Sequence, residues 1–218
     1  MEAQKDMARR NTKNKSAMAS QKKVLLDFKD KSEFVYGLYR LKSKVIAIFS
    51  KDEIIPYCDH DCYIALDRTC FYAESGGQVS DTGMIISSAF KARVIDVFKA
   101  PNGQHIHKVK LLDGAISIDD ECETILDKDR RERIEVNHSC VHILQYSLQQ
   151  VVSGSIKQAG SYVDDDKLRF DFTYTGKMTD DKVLEVEKFA KDMISKNLIV
   201  STEIMPLDKA KQLGAMAL

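Results

Sequence analysis

Ala92-Arg93-Val94-Ile95-Asp96-Val97-Phe98, then Pro101-Asn102-Gly103, then His105-Ile106-His107-Lys108-Val109-Lys110-Leu111: this stretch decides the fold. Two β-rich runs flank a Pro-Asn-Gly turn signal, and that combination predicts a β-hairpin. Working outward, Val45–Ile48 and Cys62–Leu66 are further short β-rich runs, again separated by turn signals. Several short strands at close spacing predict a small barrel or sandwich over roughly the middle of the chain.

Beyond Asp113–Glu132, which carries eight acidic and three basic residues, the period changes. Val141, Leu144, Leu148 and Val151 or Val152 are spaced for one face of a helix running from about Ile134, with Asn137 as its N-cap. Ser161–Val163 and Leu168–Tyr174 flank the polar turn Asp164-Asp165-Asp166-Lys167, which predicts a second hairpin. Thr179-Asp180-Asp181 opens another helix that buries Val183, Val186, Phe189, Ala190, Met193 and Ile194. A strand over Leu198–Met205 and a short helix from near Pro206 complete the expected elements. The fold class is therefore α+β, with a polar, basic leader over Met1–Lys23 (seven basic and two acidic residues) that reads as a helical linker or tether.

The composition is that of an ordinary globular protein, 44% hydrophobic and 30% charged. Lys+Arg and Asp+Glu are equal at 33 each, so total charge argues for no particular partner and any basic patch must be local. No apolar run approaches the roughly 20 residues that span a bilayer. Five cysteines, an odd number, fit reduced thiols better than a disulfide framework, and a cytoplasmic location is the expectation.

His138 and His142 lie four apart on the expected helix, which places both rings on one face within reach of one metal ion. Two surface histidines one turn apart read equally well. Zinc takes four protein ligands in a structural site and typically three plus water in a catalytic one, so the pair is half a site. Cys140 points to another face, and Cys122 or Asp171 join only if folding brings them near. Cys58, His60 and Cys62 share a face if extended, yet buried cysteines beside an exposed histidine explain them better. His105 and His107 read as ordinary surface residues. Glu74-Ser75-Gly76-Gly77-Gln78 permits close backbone approach to a neighbour or a phosphate, but it lacks the Lys-Ser/Thr of a P-loop, and a tight turn accounts for both glycines.

Three stretches carry a resemblance. Phe71-Tyr72-Ala73-Glu74-Ser75-Gly76-Gly77-Gln78, followed by Asp81-Thr82-Gly83, resembles the barrel signature of alanyl-tRNA synthetases. Asn137-His138-Ser139-Cys140-Val141-His142 resembles the first zinc half-motif of that family's editing domain, shared with the free-standing AlaX deacylases and the threonyl-tRNA synthetase domain. Gln158-Ala159-Gly160-Ser161, Leu168-Arg169-Phe170-Asp171-Phe172 and Ala210–Leu218 follow in the family's order. The resemblance implies a helical, basic linker (1–30), a β-barrel (31–128) and an editing domain (129–218) that is truncated within a longer parent, Met1 being internal to that parent.

It further implies Zn2+ held by His138, His142 and a Cys-x-x-x-His pair that these 218 residues do not contain. Gln158 is placed to hydrogen-bond substrate, and Lys157, Lys167 and Arg169 to meet tRNA phosphates. The implied partner is tRNA(Ala), and the implied reaction is hydrolysis of its mischarged seryl and glycyl esters. ATP and Mg2+ belong to the parent's aminoacylation region, outside this chain. Val141 stands where many relatives carry threonine, which removes a hydroxyl from the expected pocket wall. A free-standing AlaX-type deacylase and a non-catalytic tRNA-binding module are the alternatives.

Overall fold

Residues 22–51, 53–201 and 203–214 are described by the computed structural model. They form an α+β chain that divides into two compact units, Met1–Glu132 and Arg133–Leu218. Most of the expected linker falls on residues 1–21, outside the described residues; the part that is described includes a short helix, α1 (Lys22–Asp27).

The first unit holds strands β1 (Arg40–Ser50), β2 (Cys62–Leu66), β3 (Gly83–Ile86), β4 (Phe90–Lys99), β5 (His105–Gly114) and β6 (Glu121–Leu126). They pair antiparallel in the order β6-β3-β4-β5-β2-β1, and β6 pairs again with β1 from Glu121↔Lys44 to Ile125↔Arg40. The sheet therefore closes into a six-stranded barrel, which removes the exposed edges an open sheet would present. Along β1 the outward residues Arg40, Lys42 and Lys44 alternate with Leu41, Ser43 and Val45, and Val45 packs with Ile64, Leu66, Phe71, Ile85 and Val94 in one apolar core. Gly83 is required where β3 meets β6, because a Cβ there would collide with the Ile125 carbonyl and sit 2.9 Å from the Phe71 ring.

The hairpin expected around Pro101-Asn102-Gly103 forms, and its tip also holds α1. Asn102 Nδ2 donates to the carbonyls of Leu26 (2.9 Å) and Phe28 (3.2 Å), and Gln104 Nε2 donates to Phe28 (3.0 Å). These acceptors lie at the end of a helix, where carbonyls lack intrahelical partners. Leu25 and Phe28 then cover Ala47, Phe49, Ala65 and Ile106 on the outer face of the barrel.

On the other side of β5 one expectation is overturned. His105 and His107 are buried, with His107 fully enclosed. His107 Nδ1 lies 3.2 Å from the Ile64 carbonyl, which can only accept, so Nδ1 carries the proton. Nε2 is then the acceptor for the Thr69 hydroxyl at 2.8 Å, and the Thr69 oxygen in turn accepts the Phe71 amide at 3.1 Å. Burial holds His107 at a pKa of about 3 and His105 at about 4, both neutral at pH 7.

The second unit contains most of α2 (Lys128–Val151), the antiparallel hairpin β7 (Gln158–Val163) and β8 (Leu168–Phe172), α3 (Asp180–Ser195) and α4 (Leu207–Gln212). Ile134, Val141 and Leu148 are buried at seven-residue spacing on α2. Asn137 is not an N-cap: the helix begins nine residues earlier, and Asn137 Nδ2 donates to the Asp164 carbonyl at 2.8 Å, tying α2 to the hairpin turn. Thr179 does cap α3, accepting the Lys182 amide. Of the apolar residues expected to be buried on α3, only Val186 is, while Val183 and Ile194 are exposed. No strand forms among the described residues of Leu198–Met205, which pair with no other described strand, and β-propensity alone does not make a sheet.

Candidate functional site

The candidate site is built on α2. Asp127 starts this helix, accepting the Arg130 amide on its side chain (3.1 Å) and the Arg131 amide on its carbonyl (3.0 Å). Arg131 points into the barrel unit and forms a buried, two-pronged ion pair with Asp81: Nε to Oδ1 is 2.9 Å, and Nη2 reaches Oδ2. Asp81 also accepts the Tyr72 amide at 2.6 Å, and Arg130 Nη1 donates to the Ser80 carbonyl at 2.8 Å. The acid of the Asp81-Thr82-Gly83 stretch thus anchors the first turn of α2. The Gly-rich stretch before it is a tight turn, in which Ser75 and Gln78 exchange backbone hydrogen bonds (3.2 and 3.0 Å) around Gly76 and Gly77 at φ of 60° and 82°. Positive φ at both central residues is the hairpin geometry that glycine permits.

Further along the same helix the rings of His138 and His142 lie 5.1 Å apart, tilted by 54°. His138 is half-buried and His142 exposed. Burial, reinforced by the neighbouring imidazole, lowers the pKa of His138. A neutral ring keeps the lone pair that a metal ligand needs. The two side chains therefore fit two positions of a zinc shell, with no group of three or more His, Cys, Asp or Glu that would hold a metal among the described residues.

Gln158 begins β7, half-buried, with its Nε2 donating to the Ser161 hydroxyl at 3.0 Å. The strand is irregular between Gln158 and Gly160, and a Cβ on Gly160 would come within 2.9 Å of the Asp171 carboxylate. Arg169 is exposed and turns its Nε to Asp171 at 3.2 Å. Lys157 and Lys167 are exposed at the two ends of the hairpin. The other cysteines do not join the histidines. Cys58, Cys62 and Cys122 are buried in the barrel core, where burial pushes the Cys62 thiol up and the Cys122 thiol to about 12, while His60 stays exposed. Sequence reading missed Arg130 and Arg131, which sit in a run of charges without apolar periodicity.

The family model of class II tRNA synthetases (A) matches residues 1–130. The chain belongs to that family. Alanine–tRNA ligases align with all of it: 37% identity to that of Staphylococcus saprophyticus, 38% to that of Geobacillus thermodenitrificans, each over 221 residues, and 36% to that of Bacillus cytotoxicus over 224. The alanyl-tRNA synthetase resemblance thus holds over the whole chain, which spans about a quarter (25%) of the length of these relatives. Among the described residues no helix is long and apolar enough to cross a membrane.

Proposed function

We propose that this chain is the barrel and the first part of the editing region of an alanine–tRNA ligase, a cytoplasmic enzyme that hydrolyses serine or glycine wrongly esterified to tRNA(Ala). The observation that carries the reading is the His138–His142 pair, 5.1 Å apart on a helix of a chain that aligns throughout with alanine–tRNA ligases. Such a site answers a physical need. A pocket shaped for alanine rejects glycine and serine by too little binding energy, so a second, hydrolytic filter is required.

Each residue then has a task. His138 and His142 supply two neutral nitrogen donors to Zn2+, whose other ligands lie outside these 218 residues; bound zinc would polarise a water or orient the substrate's amino group. Gln158, held by Ser161, turns its carbonyl oxygen to a substrate donor. Lys157 and Lys167 meet phosphates of the acceptor end, with Arg169 partly engaged by Asp171. Val141, buried at 5% exposure, gives the helix an apolar side where a threonine would offer a hydroxyl. ATP and Mg2+ serve the aminoacylation region of the longer protein, and no residue of this chain is assigned to them.

Zinc content and Ser-tRNA(Ala) hydrolysis, measured on this chain and on one extended by about a hundred residues to complete the ligand set, test the reading. Stoichiometric zinc and rapid hydrolysis are expected only in the extended form. Full activity in the short form contradicts the division of ligands. One rival is a tRNA-binding module without chemistry. That rival predicts an extended form that binds tRNA, hydrolyses nothing and is indifferent to His138→Ala and His142→Ala.

A further inference from the structure

The helix that carries the two histidines also carries a glutamine that the fold encloses and leaves without a partner. Three polar side chains on α2 are buried: Arg131, Gln145 and Ser147. Arg131 is held by Asp81, and the Ser147 hydroxyl donates to the Ile143 carbonyl at 2.7 Å. Gln145, only 4% exposed, makes no side-chain hydrogen bond among the described residues. Its amide is nonetheless not sealed in: the side-chain atoms that lack both a partner and access to solvent belong to Ser32, Ser43, Gln104 and His105. The Gln145 stem is therefore packed into its unit while the amide at its tip opens outward. An enclosed amide without a protein partner costs stability that an apolar side chain of the same shape would not.

Its place on the helix is specific. Gln145 follows His138 by seven residues, about two turns, so it lies on the same stripe of α2 and about 4.5 Å further along the axis than His142. The hairpin lies against this stripe. Asn137 Nδ2 donates to the Asp164 carbonyl (2.8 Å) and Gln149 Nε2 to the Ile156 carbonyl (3.0 Å), so β7 runs antiparallel to α2 and is pinned near both ends. Gln145 is one turn in from the Gln149 pin, about 6 Å along the helix, and Gln158 is two residues in from the Ile156 pin, about 6.6 Å along the chain. The two glutamines are thereby brought level. Val141, one turn before Gln145, and Leu148 flank it with buried apolar surface.

We propose that Gln145 reads the side-chain hydroxyl of serine at the editing site. The inference rests on the editing reading and assigns, within it, the group that separates serine from alanine. A hydroxyl both donates and accepts, and a carboxamide offers a partner for each at one tip. Alanine brings no hydroxyl and leaves the amide unpaired as water is displaced. A site built around such a hydrogen bond rejects the analogue that lacks it far better than an apolar pocket rejects a small change of size. The correctly charged alanyl ester is spared for that reason.

The test is made in a protein of the relatives' full length. Ser-tRNA(Ala), Gly-tRNA(Ala) and Ala-tRNA(Ala) are offered separately to one preparation each of the unaltered protein, Gln145→Met and Gln145→Ala. A ratio of rates within one preparation does not depend on how much of it is folded, so a general loss of structure does not imitate the effect. The serine-to-glycine ratio is expected to fall roughly 10- to 100-fold in both variants, the worth of one enclosed hydrogen bond. The alanine-to-glycine ratio should rise, because no amide is then left unpaired beside the methyl group. A serine-to-glycine ratio unchanged in either variant overturns the proposal and leaves the editing reading standing. An unaltered protein that hydrolyses neither the seryl nor the glycyl ester, or hydrolysis that survives His138→Ala with His142→Ala, overturns the editing reading itself, so the two failures are told apart.

Discussion

The barrel unit and the unit after it solve the burial problem differently. In the barrel six strands close on themselves, an outer helix covers part of one face, and the inward side chains from Val45 to Leu126 form one cluster. In the second unit α3 buries only Val186, and Ile199 (96%), Val200 (86%) and Ile204 (100%) are exposed. A closed sheet completes its own core. A helix and a two-stranded hairpin do not, and their stability rests on fewer contacts and on local devices such as the Thr179 cap. The two units should therefore respond separately to damage.

The largest effect is expected from the Asp81–Arg131 pair. Replacing Arg131 by Met leaves Asp81 charged and enclosed, at a cost of about 3–5 kcal/mol. Chemical denaturation followed by a probe in the barrel should show it, and loss of less than 1 kcal/mol would mean that water reaches the carboxylate. Gly83→Ala comes next, because the added Cβ meets the Ile125 backbone, with a cost of about 1–3 kcal/mol confined to the barrel transition.

Acid should also weaken the barrel first. His105 and His107 have folded pKa values depressed to about 4 and about 3, against about 6.5 unfolded. Their contribution is complete above about pH 6.5 and declines as pH falls toward 4 and then 3, because the unfolded chain takes up protons that the folded chain refuses. The slope approaches 1.4 kcal/mol per pH unit for each histidine. Denaturation at pH 7, 6 and 5 checks this, and a flat profile would place water beside the rings. The smallest effect is Thr179→Ala, about 1 kcal/mol, seen only in the second unit. Brief proteolysis of the unaltered chain should cut within 196–205 before it cuts any barrel strand.

The contrast also explains what was legible in the sequence. Cys62–Leu66 was read to its boundaries, and the Pro101-Asn102-Gly103 and Asp164–Lys167 turns were placed, because turn chemistry is local. Barrel closure was not, since the choice between barrel and sandwich lies in the β6–β1 pairing across the whole unit. His105 and His107 were misread as surface because alternation implies one wet face, and here α1 and the hairpin tip cover the outer side of Ile106. The start of α2 was expected at about Ile134, with Asn137 as the cap, whereas the helix begins at Lys128. Lys128–Arg133 has no apolar period; Asp127 starts the helix there, and Arg131 is held by an acid about fifty residues earlier in the chain. At the candidate site the i, i+4 histidines were legible as a pair, whereas their separation and the burial that keeps His138 neutral required the fold.

The central claim, that His138 and His142 serve hydrolysis of mischarged tRNA, is tested most directly in a protein of the relatives' full length. Ser-tRNA(Ala) hydrolysis would be measured with both histidines intact and with His138→Ala and His142→Ala together. The account predicts that the double substitution abolishes hydrolysis and lowers zinc content while tRNA binding persists. Hydrolysis at the unaltered rate in the doubly substituted protein would contradict it.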